Sequence, residues 1–288
     1  MYDINHINRY KDISRLEKLY IEYNFNNINL TYGKIPIKKT PFLNSSDGRM
    51  ISFAFSGGWL HHSTSGWVFD GAWINKVSPR SMTEWFTIKE AIGLIDKGYQ
   101  PNGHITEIAN HHSSSGIGLA HVGKKENHWN IDLWNIYLDK TINTSYFRLE
   151  YMKNKWQYGL IYTFQSPLLY QEGLNYDNRY IQPDEKGRVL SLMGQYCVHN
   201  TSIQIAYSRA FNSGRFLFPK ELGRDQFYTS MSRSRLNGLG DIHVFKTGLE
   251  HGWKNLIVNL DAATLLGTDM KNLKYNKYKM ADNTNYIL

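Results

Sequence analysis

The run WQYGLIYTFQ, residues 156 to 165, decides the fold. Trp156, Tyr158, Leu160, Tyr162 and Phe164 fall on one side of an extended chain. Gln157, Gly159, Thr163 and Gln165 fall on the other, interrupted only by Ile161. Successive side chains of a β-strand point to opposite faces, so this run predicts a strand with one aromatic-apolar face and one small, polar face. Just before it, Asn154-Lys155 is a two-residue polar turn. Upstream of that turn, Tyr146, Arg148 and Glu150 oppose Phe147, Leu149 and Tyr151. Two alternating runs joined by so short a link predict a β-hairpin.

The pattern repeats in both directions. Leu19, Ile21, Tyr23 and Phe25 alternate with Lys18, Tyr20, Glu22 and Asn24, turn at Asn26-Asn27, and return through Ile28, Leu30 and Tyr32. ISFAFSGGWL and GWVFDGAWINKV follow, joined by a turn from His61 to Ser65. In the second of these, Trp67, Phe69 and Trp73 oppose Asp70, Ala72 and Lys76. Downstream come Gly116 to Val122, His128 to Asp139, VLSLMGQYCV, SIQIAYSRAF, IHVFKTGLEHGW and LIVNLDAA, with tight turns at Lys124 to Asn127, His199-Asn200 and Lys254-Asn255. Between Ser78 and Ser113 a long connection has room for a short helix from Thr83 to Leu94, and the segment from Thr264 to Leu288 reads as loop. Cys197, the single cysteine, reads as a packing residue.

The result is an all-β chain of about twelve strands, each of roughly 9–12 residues, long enough to cross a bilayer when tilted. Tight turns alternate with long connections. Together with the period-two faces, that is the signature of an antiparallel transmembrane β-barrel with long extracellular loops and short periplasmic turns. A closed sheet also pairs every backbone polar group, as hydrocarbon requires. Trp59, Trp67, Trp73, Trp156, Tyr158, Phe164, Tyr207 and Phe211 cluster near strand ends, where interfacial girdles would lie. A soluble antiparallel barrel alternates too, but it packs its large side chains inside.

Composition fits. The chain has 288 residues, read as a single barrel domain over 1–288, with 41% hydrophobic, 14% aromatic and 20% charged residues and a net charge of +8. No apolar run is long enough for a transmembrane helix. The first twenty residues lack an apolar core and a cleavage site, so they do not read as a signal peptide. His61-His62 and His111-His112 are adjacent pairs, which a strand would split between faces, so they do not read as metal ligands. No nucleophile elbow, phosphate loop or dinucleotide fingerprint is present, so neither an enzyme nor a cofactor is expected. Nucleic-acid binding would need aromatic and basic residues on one surface, and here they take opposite faces.

If the apolar face meets lipid, the other lines a lumen. Lys18, Lys76 and Arg148 then point inward with Glu22, Asp70, Asp132, Glu150 and Asp261, while Arg188 and Arg209 share the parity of the apolar face and lie near the headgroups. The loop arginines Arg49, Arg80, Arg215, Arg224, Arg233 and Arg235 are candidates to fold into the pore, where positive groups would favour anions.

Three segments carry a resemblance. PFLNSSDGRM (Pro41 to Met50), VSPRSMTEWFTIKEAIG (Val77 to Gly93) and GRFLFPKELGRDQFYTSMSRSRLNGLGD (Gly214 to Asp241) resemble, in order, three segments of the OprD-type outer-membrane porins. The resemblance implies a barrel of about eighteen strands, an outer-membrane location, and passive diffusion of small water-soluble solutes, often carrying a carboxylate guided by lumenal arginines. Arg49, Arg80, Arg233 and Arg235 lie in the matching segments. The family's leader, several of its strands and its closing strand have no counterpart here, which implies an internal piece of a longer barrel. The expected partners are small polar solutes and outer-membrane lipid, with a homotrimer as a candidate assembly. A barrel enzyme, or a non-conducting adhesive barrel, remains the alternative.

Overall fold

A computed structural model describes residues 14–37, 40–44, 51–232, 235–281 and 284–287. Its strands are β1 (Leu19–Phe25), β2 (Ile28–Ile35), β3 (Ala54–Thr64), β4 (Trp67–Ser78), β5 (Phe86–Thr87), β6 (Ile117–Glu126), β7 (Trp129–Leu138), β8 (Ile142–Lys153), β9 (Trp156–Pro167), β10 (Arg188–Val198), β11 (Thr201–Ala210), β12 (Ile242–Trp253), β13 (Leu256–Leu266) and β14 (Thr284–Ile287). All pairings are antiparallel and follow chain order, with β5 a short extra partner of β4. Among the described residues β1 pairs only with β2 and β14 only with β13, so the sheet is not closed. The predicted helix from Thr83 to Leu94 is a single turn, α1 (Ile88–Ala91), held by a capping box between Thr87 and Glu90.

One end of the sheet carries tight turns, and a left-handed residue opens each of them. Asn26, Ser65, Asn127, Asn154, His199 and Lys254 have φ of 50°, 46°, 48°, 56°, 52° and 39°. Asparagine tolerates that region best, which explains its use at three of these positions. The other end carries long connections, with one exception. β7 and β8 are separated only by Asp139, Lys140 and Thr141, because β8 starts at Ile142 rather than near Tyr146.

Several expectations are corrected. His61 to Ser65 is not a turn: β3 continues to Thr64, pairing through Thr64–Trp67, and the turn is Ser65-Gly66. The segment after Thr264 is not all loop, since β13 runs to Leu266 and Thr284–Ile287 adds a strand. Cys197 is exposed instead of packed. Lys76 does not share the face of Asp70. Gly57 pairs with Ile74 but Ser56 pairs with Lys76, so Asn75 is an extra residue and the bulge flips the parity beyond it.

The faces separate as the alternation predicts. Leu60, Phe69, Trp73, Leu133, Tyr158, Tyr162, Ile205, Phe245 and Leu260 are exposed on one face. Gln165, Ser191, Ser208, Thr163, Asp132 and His121 are buried on the other. In water this would be inverted, since each exposed apolar Å² forgoes about 25 cal/mol. The buried face is covered by the long connections, which have an apolar core of their own. Phe42 lies 5.4 Å from both Phe216 and Phe218, and 5.7 Å edge-on from Tyr146 of β8. The loops are therefore folded inward against the wall.

Candidate functional site

A chain of polar side chains crosses the inner face from β3 to β8. It follows from register: His61 stands opposite Asp70, Asp70 opposite His121, and Asp132 opposite Arg148. Asp70 accepts from Trp59 Nε1 at 2.9 Å and pairs with His61 Nδ1 at 2.7 Å. Its second oxygen pairs with His121 Nδ1 at 2.7 Å, and His121 Nε2 meets Asp132 at 2.9 Å. An imidazole facing a carboxylate at each nitrogen donates to both only as the doubly protonated cation. The ring is stacked on Trp134 with centroids 3.9 Å apart. Arg148 closes the line, donating to Asp132 from Nε at 2.9 Å and Nη2 at 2.7 Å. Buried polar groups this well partnered are fixed in place.

Beside this wall is a cavity of about 1130 Å³, lined by Glu22, Asp70, His121, Asp132, Arg148 and Glu150 among others. At Glu150, one of its lining residues, the wall meets the segment between β11 and β12. Tyr228 donates its hydroxyl to Glu150 at 3.1 Å, its amide donates to Ser191 Oγ at 3.1 Å, and Thr229 donates to Ser208 at 2.7 Å. Gln165 of β9 clamps the same segment: its amide donates to Leu217 O and its oxygen accepts from Leu217 N, both at 2.8 Å. That segment is thus hydrogen-bonded to the inner face of the wall at several points.

The predicted site residues divide into groups. Asp70 and Arg148 come together on the inner face through His121 and Asp132. Lys18 is exposed just before β1 and does not line the cavity, which takes Tyr20 and Glu22 from that strand. Arg80 and Arg235 are neighbours in the loop layer: burial first, and then the Arg235 guanidinium, pull Arg80 below the usual arginine range. Lys220 joins them, its ammonium 3.4 Å above the Tyr278 ring and 3.9 Å from Asp96. Arg224 is half-buried in the same layer, where its amide donates to Phe42 O at 2.9 Å. Arg49 and Arg233 lie outside the described residues. Arg215 is a correction. It is 1% exposed and sealed among the loops, paired with Glu185 at 2.6 and 2.8 Å and bonded to Tyr99 O at 2.8 Å, so it faces no water.

His61, His121 and Tyr228 carry the site, although the sequence names none of them as a pore residue and His61 only as a turn and non-ligand histidine. The signal for the histidines was parity: each sits level with Asp70 once the strands extend to Thr64 and Glu126. Tyr228 had no local signal, because its partners come from β8 and β10. Among the described residues no three His, Cys, Asp or Glu side chains are placed to hold a metal ion.

The loop layer has a pH-sensitive member. His112 is buried edge-on to Tyr180, with centroids 6.4 Å apart, and burial pushes its imidazole down to about 4 from 6.5. The stability of the neutral ring is whole above pH 6.5 and drains as pH falls from there toward about 4. Across that window the protection factors around Tyr180, exchange measured against the intrinsic rate at each pH, should fall in the wild type. In His112→Asn that fall should be absent; an equal fall would assign it to other groups.

No family model and no curated protein matches the chain. Solved structures do. Pseudomonas aeruginosa OccK3 (OpdO) aligns with a TM-score of 0.66 at 12% identity, over 85% of this chain and 62% of that one. A second structure of OpdO gives 0.69 at 11% identity, over 92% and 65%. The Pseudomonas aeruginosa outer membrane protein OpdK gives 0.65 at 13% identity, over 88% and 64%, and OpdK with vanillate gives 0.65 over 88% and 63%. The chain therefore spans somewhat less than two thirds of the length of these proteins, with the same strand architecture.

Proposed function

We propose that this chain forms part of an OprD-type outer-membrane porin, a passive channel for small water-soluble solutes. The observation that carries this is the sidedness of the sheet. Large apolar and aromatic side chains are exposed outward, while the charged line from His61 to Arg148 borders an inner cavity. Selection would come from width and charge, with no bond made or broken. The fold shared with outer membrane protein OpdK supports the location.

We further propose that carboxylate-bearing solutes are favoured, through the loop cations and not the wall. Among the described strand residues Arg148 is the one arginine on the inner face, and Asp132 already holds it. Arg80, Arg235 and Lys220 gather positive charge in the loop layer that a solute would pass. The complete porin of which we propose this chain is part, reconstituted in planar bilayers, should give stepwise, ohmic conductance. Replacing Arg80 and Arg235 together by glutamine should shift the reversal potential in a salt gradient toward cations, lowering the anion-to-cation permeability ratio several-fold. Absence of conductance steps at every voltage would overturn the channel. An unchanged reversal potential would overturn the role of the loop cations alone.

A further inference from the structure

The outward face is not uniformly filled. Register places Leu60, Gly71, Ala120, Asn135, Ser145 and Phe164 in one row across β3, β4, β6, β7, β8 and β9. Four consecutive members, from Gly71 to Ser145, are small or short. The neighbouring row, Phe69, Val122, Leu133, Phe147 and Tyr162, is large throughout. The difference in side-chain height leaves a groove of about 620 Å³ on the outer wall. Its small floor is about 14 Å long, three inter-strand spacings.

The groove has a polarity along its length. At the β3 end it is closed by Leu60 and Phe69. Toward β8 it carries the Asn135 amide and the Ser145 hydroxyl, both on the outward face. One strand further on, Phe164 pairs with Arg188, whose guanidinium lies 5.5 Å from the Phe164 ring. Arg188 is exposed and, among the described residues, has no ion pair; nearby Arg209 is occupied by Asp241 at 2.6 Å. Exposed Lys186 precedes it at the mouth of β10. The order is therefore cation, hydrogen-bond donors, apolar trough.

We infer that this groove seats a phosphate-bearing lipid, with its headgroup at Arg188, its ester carbonyls at Ser145 and Asn135, and one acyl chain along Ala120 and Gly71. The inference rests on the proposal that the apolar face meets hydrocarbon. Charge complementarity at Arg188 selects the occupant, since an apolar partner would leave both that charge and the two donors unanswered. Anionic lipid near a single arginine gains a modest, screened attraction, enough for a preference of about fivefold.

The test uses the full chain in neutral-detergent micelles doped with equal amounts of phosphatidylglycerol and phosphatidylcholine, with bound lipid counted by native mass spectrometry. The wild type should retain phosphatidylglycerol about fivefold over phosphatidylcholine. Arg188→Gln should erase the preference, and Ala120→Phe should lower retention of both lipids by filling the trough. Equal retention of the two lipids by the wild type would overturn the seat, as would a preference that survives Arg188→Gln. Flotation with phosphatidylcholine vesicles separates the two proposals. Wild-type chain that floats but shows no preference removes only the lipid seat, whereas chain that fails to float removes the hydrocarbon-facing wall as well.

Discussion

Replacing Arg215 by methionine will destabilise the loop layer by about 3–5 kcal/mol, the typical cost of stranding one member of a buried ion pair. Glu185 would lose a bidentate partner at 2.6 and 2.8 Å, and Tyr99 O would lose a donor at 2.8 Å. The pair joins the connection after β9 to the one after β11, and the bond to Tyr99 ties in the connection after β4. Limited proteolysis of the reconstituted protein should therefore cut all three connections faster, while far-ultraviolet circular dichroism keeps its β signal. The double variant Arg215→Met with Glu185→Leu should regain most of the loss, because an apolar replacement of a whole buried pair is close to neutral. Proteolysis of Arg215→Met at the wild-type rate would remove Arg215 from its assigned role.

Gly159→Val will drive Tyr228 off the wall and widen the path we propose for solutes. A Cβ built on Gly159 falls 2.3 Å from the Tyr228 hydroxyl oxygen and 2.4 Å from its Cζ, so ring and branched side chain exclude one another. The outcome is an overpacking cost of about 1–3 kcal/mol, relieved by driving Tyr228 off the wall and breaking its bond to Glu150. In planar bilayers the variant should conduct more than the wild type, by a factor that Tyr228→Ala reproduces. In a Tyr228→Ala background the same valine should add little, and that non-additivity marks a shared contact. Conductance of Gly159→Val equal to wild type would mean that Tyr228 does not set the width.

The strand wall was legible because its determinants are local. Period-two alternation in Trp156 to Gln165 depends only on pleat and on which side is dry, and the pairing of β8, β9 and β10 follows it residue for residue. Turns are legible at Asn26, Asn154, Asn200 and Asn255, and misplaced at two sites: at Ser65, where serine carries the left-handed backbone, and at Lys124 to Asn127, where Lys124 to Glu126 belong to β6 and the turn is Asn127-His128. Polar stretches were read as turns too early for a related reason. His61 to Thr64 is hydrophilic, yet it is strand, because an inner face that meets water accepts histidine and serine. The bulge at Asn75 has no signature of its own, and one extra residue moved Lys76 to the opposite face.

The loop layer was hidden for a different reason. Arg215 looked like a pore cation, but its fate depends on Glu185, thirty residues away, and on Tyr99, farther still. Asp225 organises its own loop by accepting from Leu236 N at 2.8 Å, Asn237 N at 3.0 Å and Ser230 at 2.6 Å, and burial pushes its carboxyl upward. Contacts of that range leave no periodic trace.

The sidedness of the sheet is tested most directly by thiol labelling of adjacent residues. In a Cys197→Ser background, single cysteines replace Asp132, Leu133, Phe147 and Arg148, the protein is reconstituted in sealed vesicles, and a membrane-impermeant maleimide is added. Positions 132 and 148 face the inner cavity and 133 and 147 the outer wall. Labelling at 132 and 148 with protection at 133 and 147 is the predicted result; the reverse order, or equal labelling at all four, would contradict it.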